Sequence, residues 1–177
     1  KLQPGCILAR GGCRVGFCRP DQKYPEGPER FKTCQVLSTT AFSSGQHYWE
    51  VDVKGAKRWI VGVACHSIQR KVAGNDSFIG YNNKSWSLFY QNYLGMSHNN
   101  VQENIDSDTP PQALGIHLNH DAGQLSFYQL GDTMQHLHTY TASFTEPLHA
   151  ATPKGPPLGS PVNYQEQVPS LLCSFHQ

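Results

Sequence analysis

The chain has 177 residues and a formal net charge of +1. That length sets one domain as the default, with enough chain to bury a proper core, and the near-neutral balance supplies no global pull toward nucleic acid or membranes. No apolar run approaches the roughly 20 residues of a membrane-spanning helix, and the 16 Gly and 12 Pro point to many turns and few long helices.

Lys1 opens the chain without a Met or a secretory signal, as expected of a fragment or a processed product. Ile7-Leu8 and Arg14-Val15 read as two short strands around a turn at Arg10-Gly11-Gly12. The polar, Pro-rich stretch from Phe17 to Pro28 reads as a long surface loop. Gln35-Val36-Leu37 begins the next strand, and Ser43-Ser44-Gly45 turns into a strand from His47 to Val53. In that strand Trp49, Val51 and Val53 share one face, while Tyr48, Glu50 and Asp52 share the other. Lys54 to Lys57 is predicted as a hairpin turn, and Arg58 to Ala64 as its return strand, with Trp59, Val61 and Val63 on one side.

Ile68 to Val72 reads as a helical turn or loop and Gly74 to Gly80 as a polar loop. Trp86 to Tyr90 is a strand, followed by an Asn-rich loop through Asn104. After a turn at Asp106 to Pro111, Leu114, Ile116 and Leu118 alternate with Gly115, His117 and Asn119. Asp121-Ala122-Gly123 turns that strand back into Gln124 to Tyr128, with Gly123 suited to the positive φ of a hairpin. His138 to Phe144 is one more strand, Ala150 to Pro169 a Pro/Gly-rich loop, and Ser170 to Phe175 a closing strand. Roughly ten or more short strands without βαβ alternation predict an all-β fold, a sandwich of two antiparallel sheets with long loops.

The six Cys contain no C-x2-C pair, so free thiols in a reducing cytosol are expected, with no metal site. Nine His and many Ser permit a hydrolase, but no G-x-S-x-G, H-E-x-x-H or P-loop pattern is present, so neither catalytic residues nor a cofactor are expected. His47 reads as a structural hydrogen-bonder, and His98, His117 and His120 as surface residues. His136 and His138, two apart on one strand, are the weak candidates for a ligand pair, and Asp106 and Asp108 read as turn residues. Trp49, Trp59, Phe127 and Phe144 read as core. Phe89 and Tyr90 are open: one ring faces either the core or a partner. The triplets Asn75-Asp76-Ser77 and Asn83-Lys84-Ser85 match a glycosylation sequon that has no meaning in a cytosolic protein.

Several runs resemble one family in order along residues 7 to 173. Pro28-Glu29-Arg30-Phe31, Ser44-Gly45-Gln46-His47-Tyr48-Trp49-Glu50-Val51, Trp59-Ile60-Val61-Gly62-Val63, Leu114 to Asn119 with Leu125-Ser126-Phe127-Tyr128, Phe144-Thr145-Glu146-Pro147-Leu148 and Leu171-Leu172-Cys173 are similar to the signatures of the PRY-SPRY domain. This β-sandwich module stands at the C-terminus of TRIM-type ubiquitin ligases. The resemblance implies one domain over 1–177, with the PRY segment over about 1–38 and the SPRY segment over about 39–177. His149-Ala150-Ala151-Thr152 departs from the family, which places an aromatic run there.

By the same resemblance, the domain recognises a protein partner and carries no chemistry. It selects substrates for a cytoplasmic TRIM-type RING E3 ligase of antiviral innate immunity, whose coiled-coil dimerisation lies outside this chain. The implied partner-binding face lies between the strand starting at Arg58, the strand around Phe89 and the loop after Leu148. Arg58, Ile60 and Phe89 occupy contact positions, Tyr90 and Gln91 adjoin them, and Lys154 lies where a family aromatic would close the pocket. Specificity is expected from the loops at Phe17 to Gly27, Arg70 to Lys84, Gln91 to Asp106 and Ala150 to Pro169. Lys54, Lys57, Arg58, Arg70 and Lys71 are either solvated turn residues or a basic patch for an acidic protein or RNA. The alternatives are a butyrophilin-like intracellular ligand sensor, an RNA-assisted module, a disulfide-bonded secreted SPRY toxin and an unrelated sandwich enzyme.

Overall fold

The alternating and continuous apolar runs fold into two stacked sheets in the computed structural model. It describes residues 27–107 and 109–153, together with the strands Cys6–Ala9, Gly12–Val15 and Leu171–His176. Among these residues there are thirteen strands and no helix. One sheet has seven strands, in the order β1 (Cys6–Ala9), β2 (Gly12–Val15), β13 (Leu171–His176), β4 (Gln46–Asp52), β9 (Ala113–Asn119), β10 (Gln124–Gln129) and β11 (Gln135–Thr141). The other has six, in the order β3 (Gln35–Leu37), β12 (Leu148–Pro153), β5 (Arg58–Cys65), β6 (Ser85–Gln91), β7 (Leu94–His98) and β8 (Val101–Asn104). The neighbours pair antiparallel throughout.

Registry follows from the period-2 pattern. Trp49 and Val51 of β4 pair with Ile116 and Leu114 of β9, so both strands turn their apolar sides inward together. They meet Trp59, Val61, Val63 and Leu88 of the other sheet in the core, with Leu118, Leu125, Phe127 and Leu148. Phe42 stacks on Trp49 with ring centroids 5.2 Å apart. The Tyr140 hydroxyl donates to the Ser87 carbonyl at 2.9 Å, a buried polar link between the two sheets. Each fully buried Leu, Ile or Phe here contributes about 1.5–3 kcal/mol of burial.

A second buried cluster covers the outer face of the six-stranded sheet. It holds Phe31, Leu37, Ile60, Ala64, Ile68, Phe78, Ile79, Phe89 and Ala151. The strandless segment 66–84 lies over this face. Gln35 fastens it by donating to the Ser77 carbonyl and accepting from the Ile79 amide at 3.2 Å. Ser97 Oγ donates to the Gly80 carbonyl at 2.9 Å. Gly80 has φ +86°, and a Cβ there would meet Ser87 Oγ at 2.4 Å, so only glycine lets the segment descend this far.

The structure differs from the sequence expectation in its strand count on this side. Leu94 to Asn104, expected as loop, forms the β7–β8 hairpin, with Asn99 and Asn100 both at positive φ (50° and 63°) in its two-residue turn. β12 runs on through Ala150 to Pro153, where a loop is expected, because it is held between β3 and β5. β11 spans Gln135–Thr141 instead of beginning at His138, and Phe144 leaves the strand to set its ring edge-on against Trp86 at 5.2 Å. Gly123 has φ +65°, as the hairpin requires. The expected loops at Phe17 to Glu26 and Lys154 to Pro169 lie outside the described residues, as does Asp108.

Candidate partner-binding face

Strand pairing brings most of the expected site together. Arg58 pairs with Gln91, Trp59 with Tyr90 and Ile60 with Phe89. Phe89 then pairs with Gly95 of β7, and Gly95 with Asn104 of β8. Lys154 lies outside the described residues. Its neighbour Pro153 ends β12, where the Thr152 hydroxyl donates to the Ile60 carbonyl at 2.8 Å.

The pleat divides these residues between two faces. Tyr90 turns toward the sandwich interior, stacks on Trp59 at 6.1 Å and packs half-buried against the main core. It therefore supports the inside of the sheet and does not belong to the outer face. Arg58, Ile60, Phe89 and Gln91 turn outward. Ile60 and Phe89 are only 6% and 5% exposed, because the segment 66–84 roofs the cluster they belong to. Both form the floor of this face. Arg58 and Gln91 remain half-buried at its margin.

The residue that sequence reasoning missed is Tyr93. It is 45% exposed, and its ring stands edge-on to Phe89 with centroids 5.5 Å apart. A tight turn presents it. Asn92 takes φ 68°, and the Gln91 amide donates to the Tyr93 carbonyl at 2.9 Å. Phe89 lies against Gly95, where a Cβ would stand 2.6 Å from its ring, so the floor under Tyr93 has no room for a side chain on β7. Tyr93 thus combines a wet edge with a rigid base, the arrangement of an aromatic anchor. A signal was present: an Asn directly after a strand, followed by an aromatic, marks a turn that displays a ring.

The basic residues do not form one patch. Arg58 opens β5, whereas Arg70 follows its far end, and eight residues of strand span roughly 25 Å. Arg70 pairs with Glu29 at 2.8 Å, lies over the Phe31 ring at 5.1 Å and is 12% exposed. Lys71 Nζ donates to the Gly27 carbonyl. Both fasten the 27–31 segment to the body.

The histidines sort similarly. His47 hydrogen-bonds the Ser44 carbonyl at 2.7 Å, the structural role expected of it. His98, expected at the surface, stacks half-buried on Trp86 at 4.8 Å because it belongs to β7. A bulge between Phe127 and Tyr128 shifts the pairing so that His136 faces Tyr128 outside and His138 faces Phe127 inside. The two do not share a face and are not a ligand pair. Among the described residues no group of three His, Cys, Asp or Glu side chains could hold a metal ion.

One cluster has the residue types of a nucleophilic centre. Glu146 accepts from the Ser67 amide and hydroxyl at 2.9 and 2.6 Å, and Lys84 Nζ reaches Ser67 Oγ at 2.6 Å. Burial opposes the charge on Glu146, but the Ser67 hydrogen bonds and Lys84 hold its pKa below the usual carboxylate value. The adjoining Cys65 thiol is pushed up to about 12, by burial first and then by Glu146. A thiol so protonated is no nucleophile at neutral pH. Among the described residues Cys34 and Cys65 are free thiols.

Comparison with known proteins agrees with this fold. The pattern of the SPRY domain family matches residues 46–157. The E3 ubiquitin-protein ligase RNF135 of Rattus norvegicus is 36% identical over 141 residues, which cover 78% of this chain and 33% of that protein. The chain therefore spans about a third of that relative's length. In the crystal structure of the TRIM65 PSpry domain, the similar fold superposes with a TM-score of 0.73 at 26% identity, over 98% of this chain and 84% of that one. The stonustoxin structure contains a similar fold, with a TM-score of 0.75 at 30% identity, over 97% of this chain and 27% of that one.

Proposed function

The chain belongs to the SPRY domain family of protein-interaction modules, and from that premise we propose that it selects substrates for a TRIM-type RING E3 ubiquitin ligase. The proposed setting is the cytoplasm, in antiviral innate immunity. A folded protein docks on the face bounded by Arg58, Gln91 and Tyr93, and the domain holds it for a RING that lies elsewhere in the parent protein. The names of two similar proteins, an E3 ubiquitin-protein ligase and a TRIM65 domain, support the ligase context.

The observation that carries the reading is the exposed Tyr93 ring standing on the buried Phe89 ring. A rigid aromatic loses little rotamer freedom on binding and covers a large area, which is why few such residues dominate interfaces. The buried floor holds the ring in place, so less ordering is lost when a partner arrives. With polar Arg58 and Gln91 at its margin and His149-Ala150-Ala151-Thr152 in place of an aromatic run, the face suits the surface of a folded protein.

The test compares proteins captured in cells by the wild-type chain, by Tyr93→Ala and by Met134→Ala. Met134 is 58% exposed in the turn between β10 and β11, on the other sheet, and serves as the control. A partner retained by Met134→Ala should bind Tyr93→Ala about 30-fold more weakly, a loss of about 2 kcal/mol. Melting should stay within about 0.5 kcal/mol of wild type. Equal affinity of Tyr93→Ala for every captured partner would reject the face.

A further inference from the structure

At the opposite end of β5 two imidazoles meet. His66 Nδ1 and His149 Nε2 are 3.1 Å apart, with ring centroids 5.3 Å apart. His149 is 7% exposed, whereas His66 is exposed. The other nitrogen of His149, Nδ1, lies 2.8 Å from the Ser38 carbonyl. A carbonyl can only accept, so Nδ1 of His149 carries a proton. In the neutral ring Nε2 is then an acceptor, and His66 Nδ1 must be the donor facing it. One backbone carbonyl thus sets the tautomers of both rings.

This arrangement has a definite capacity for protons. A proton added at His66 Nε2, the nitrogen outside the pair, leaves the contact intact and makes it charge-assisted. A second proton has only His149 Nε2 to go to, where it would point an N–H at the N–H of His66. We propose that His66 and His149 form an acid-sensitive clasp that accepts one proton, on His66, and opens when a second reaches His149.

The clasp joins three segments. His149 is the second residue of β12; the Ser38 amide donates to the Ala150 carbonyl at 2.7 Å, and the Ala150 amide to Ser38 Oγ at 3.0 Å. The His66 amide donates to the Pro147 carbonyl at 3.0 Å. The charged groups around it reinforce the refusal. Arg70 donates to the His66 carbonyl at 3.3 Å and disfavours a cation on His149, with Glu29 already spent on Arg70. Glu146 and Lys84 meet at the neighbouring Ser67 and Cys65, and the Ser38–Thr40 turn brings no charge. Burial above all, and then the charge of His66 and Arg70, lowers the pKa of His149 against the pull of the Ser38 carbonyl. With two nitrogen donors and no third ligand among the described residues, the pair suits a proton and not a metal.

The test is a nitrogen-detected NMR titration of the imidazoles in the wild-type chain, in His66→Ala and in Arg70→Gln. In the wild type His149 should show the Nδ1–H tautomer and stay neutral to lower pH than His66, and Ser38 and Ala150 amides should lose exchange protection when it finally charges. In His66→Ala, which changes an exposed residue and keeps the fold, the His149 midpoint should rise toward the ordinary value of about 6.5. Arg70→Gln should raise it less. An unchanged His149 midpoint in His66→Ala would overturn the clasp. So would a wild-type His149 that charges before His66, or one that carries its neutral proton on Nε2.

Discussion

β4 and β5 follow one another in the chain but lie in different sheets, so the hairpin expected at Lys54 to Lys57 is instead a crossover between sheets, and their side chains meet different surroundings. β4 alternates: Trp49 and Val51 are buried, while Gln46 and Asp52 are exposed. β5 is buried from Trp59 to Cys65 without a break. The first pattern belongs to a sheet packed on one face, the second to a sheet packed on both. Outside the seven-stranded sheet the contacts are polar, as between Ser126 and Thr139 hydroxyls at 2.8 Å, or Tyr48 donating to Glu50 at 3.0 Å. Outside the six-stranded sheet they are a second core. The lesson is that a continuously apolar strand calls for a roof, and here a segment without periodicity supplies it. Phe89 is covered and Tyr93 beside it is exposed, so the covered sheet gives way there to a surface able to hold an anchor.

The comparison can be broken by substitutions on the two outer faces. Phe89→Ala should cost about 3–5 kcal/mol of unfolding free energy, measured by denaturant titration, because it empties a buried ring site. Gly80→Ala should cost about 1–3 kcal/mol, since it adds a side chain at positive φ against Ser87. Ser126→Ala should cost about 1 kcal/mol or less, since only one partly buried hydroxyl pair is lost. Equal losses in Phe89→Ala and Ser126→Ala would mean that the two outer faces do not differ in kind.

Acid sharpens the same contrast. His149 of β12 and His138 of β11 both have lowered pKa values, each chiefly through burial; for His138 Glu103 opposes the shift and His136 adds to it. A histidine depressed by folding binds protons more readily in the unfolded chain. Stability is therefore full above about pH 6.5, falls as pH drops below it, and levels off only below the folded pKa. Melting curves from pH 7.5 downward should show this loss in the wild type. His149→Gln and His138→Gln should each weaken the slope, and a slope unchanged in both would place the acid-sensitive groups elsewhere.

Much of the fold was legible, because inward and outward residues separate cleanly in β4, β9 and β10. The β7–β8 hairpin was not, since Leu94-Gly95-Met96-Ser97 alternates apolar with small residues and its Asn99-Asn100 turn looks like generic loop. Phe89 was ambiguous for a related reason. Periodicity tells which residues share a face, but not whether a distant segment such as 66–84 covers it. The site was legible as a neighbourhood, through the pairing of Arg58 with Gln91 and Ile60 with Phe89. It was not legible as a surface, because Tyr93 owes its exposure to the turn at Asn92.

The most direct measurement places a photo-crosslinking benzoylphenylalanine at Tyr93, and separately at Met134, in the chain expressed in cells. If the face at Tyr93 is the partner-binding site, irradiation should yield a discrete crosslinked protein from position 93 and none of it from position 134. Crosslinks to that protein from position 134 but not from 93 would contradict it.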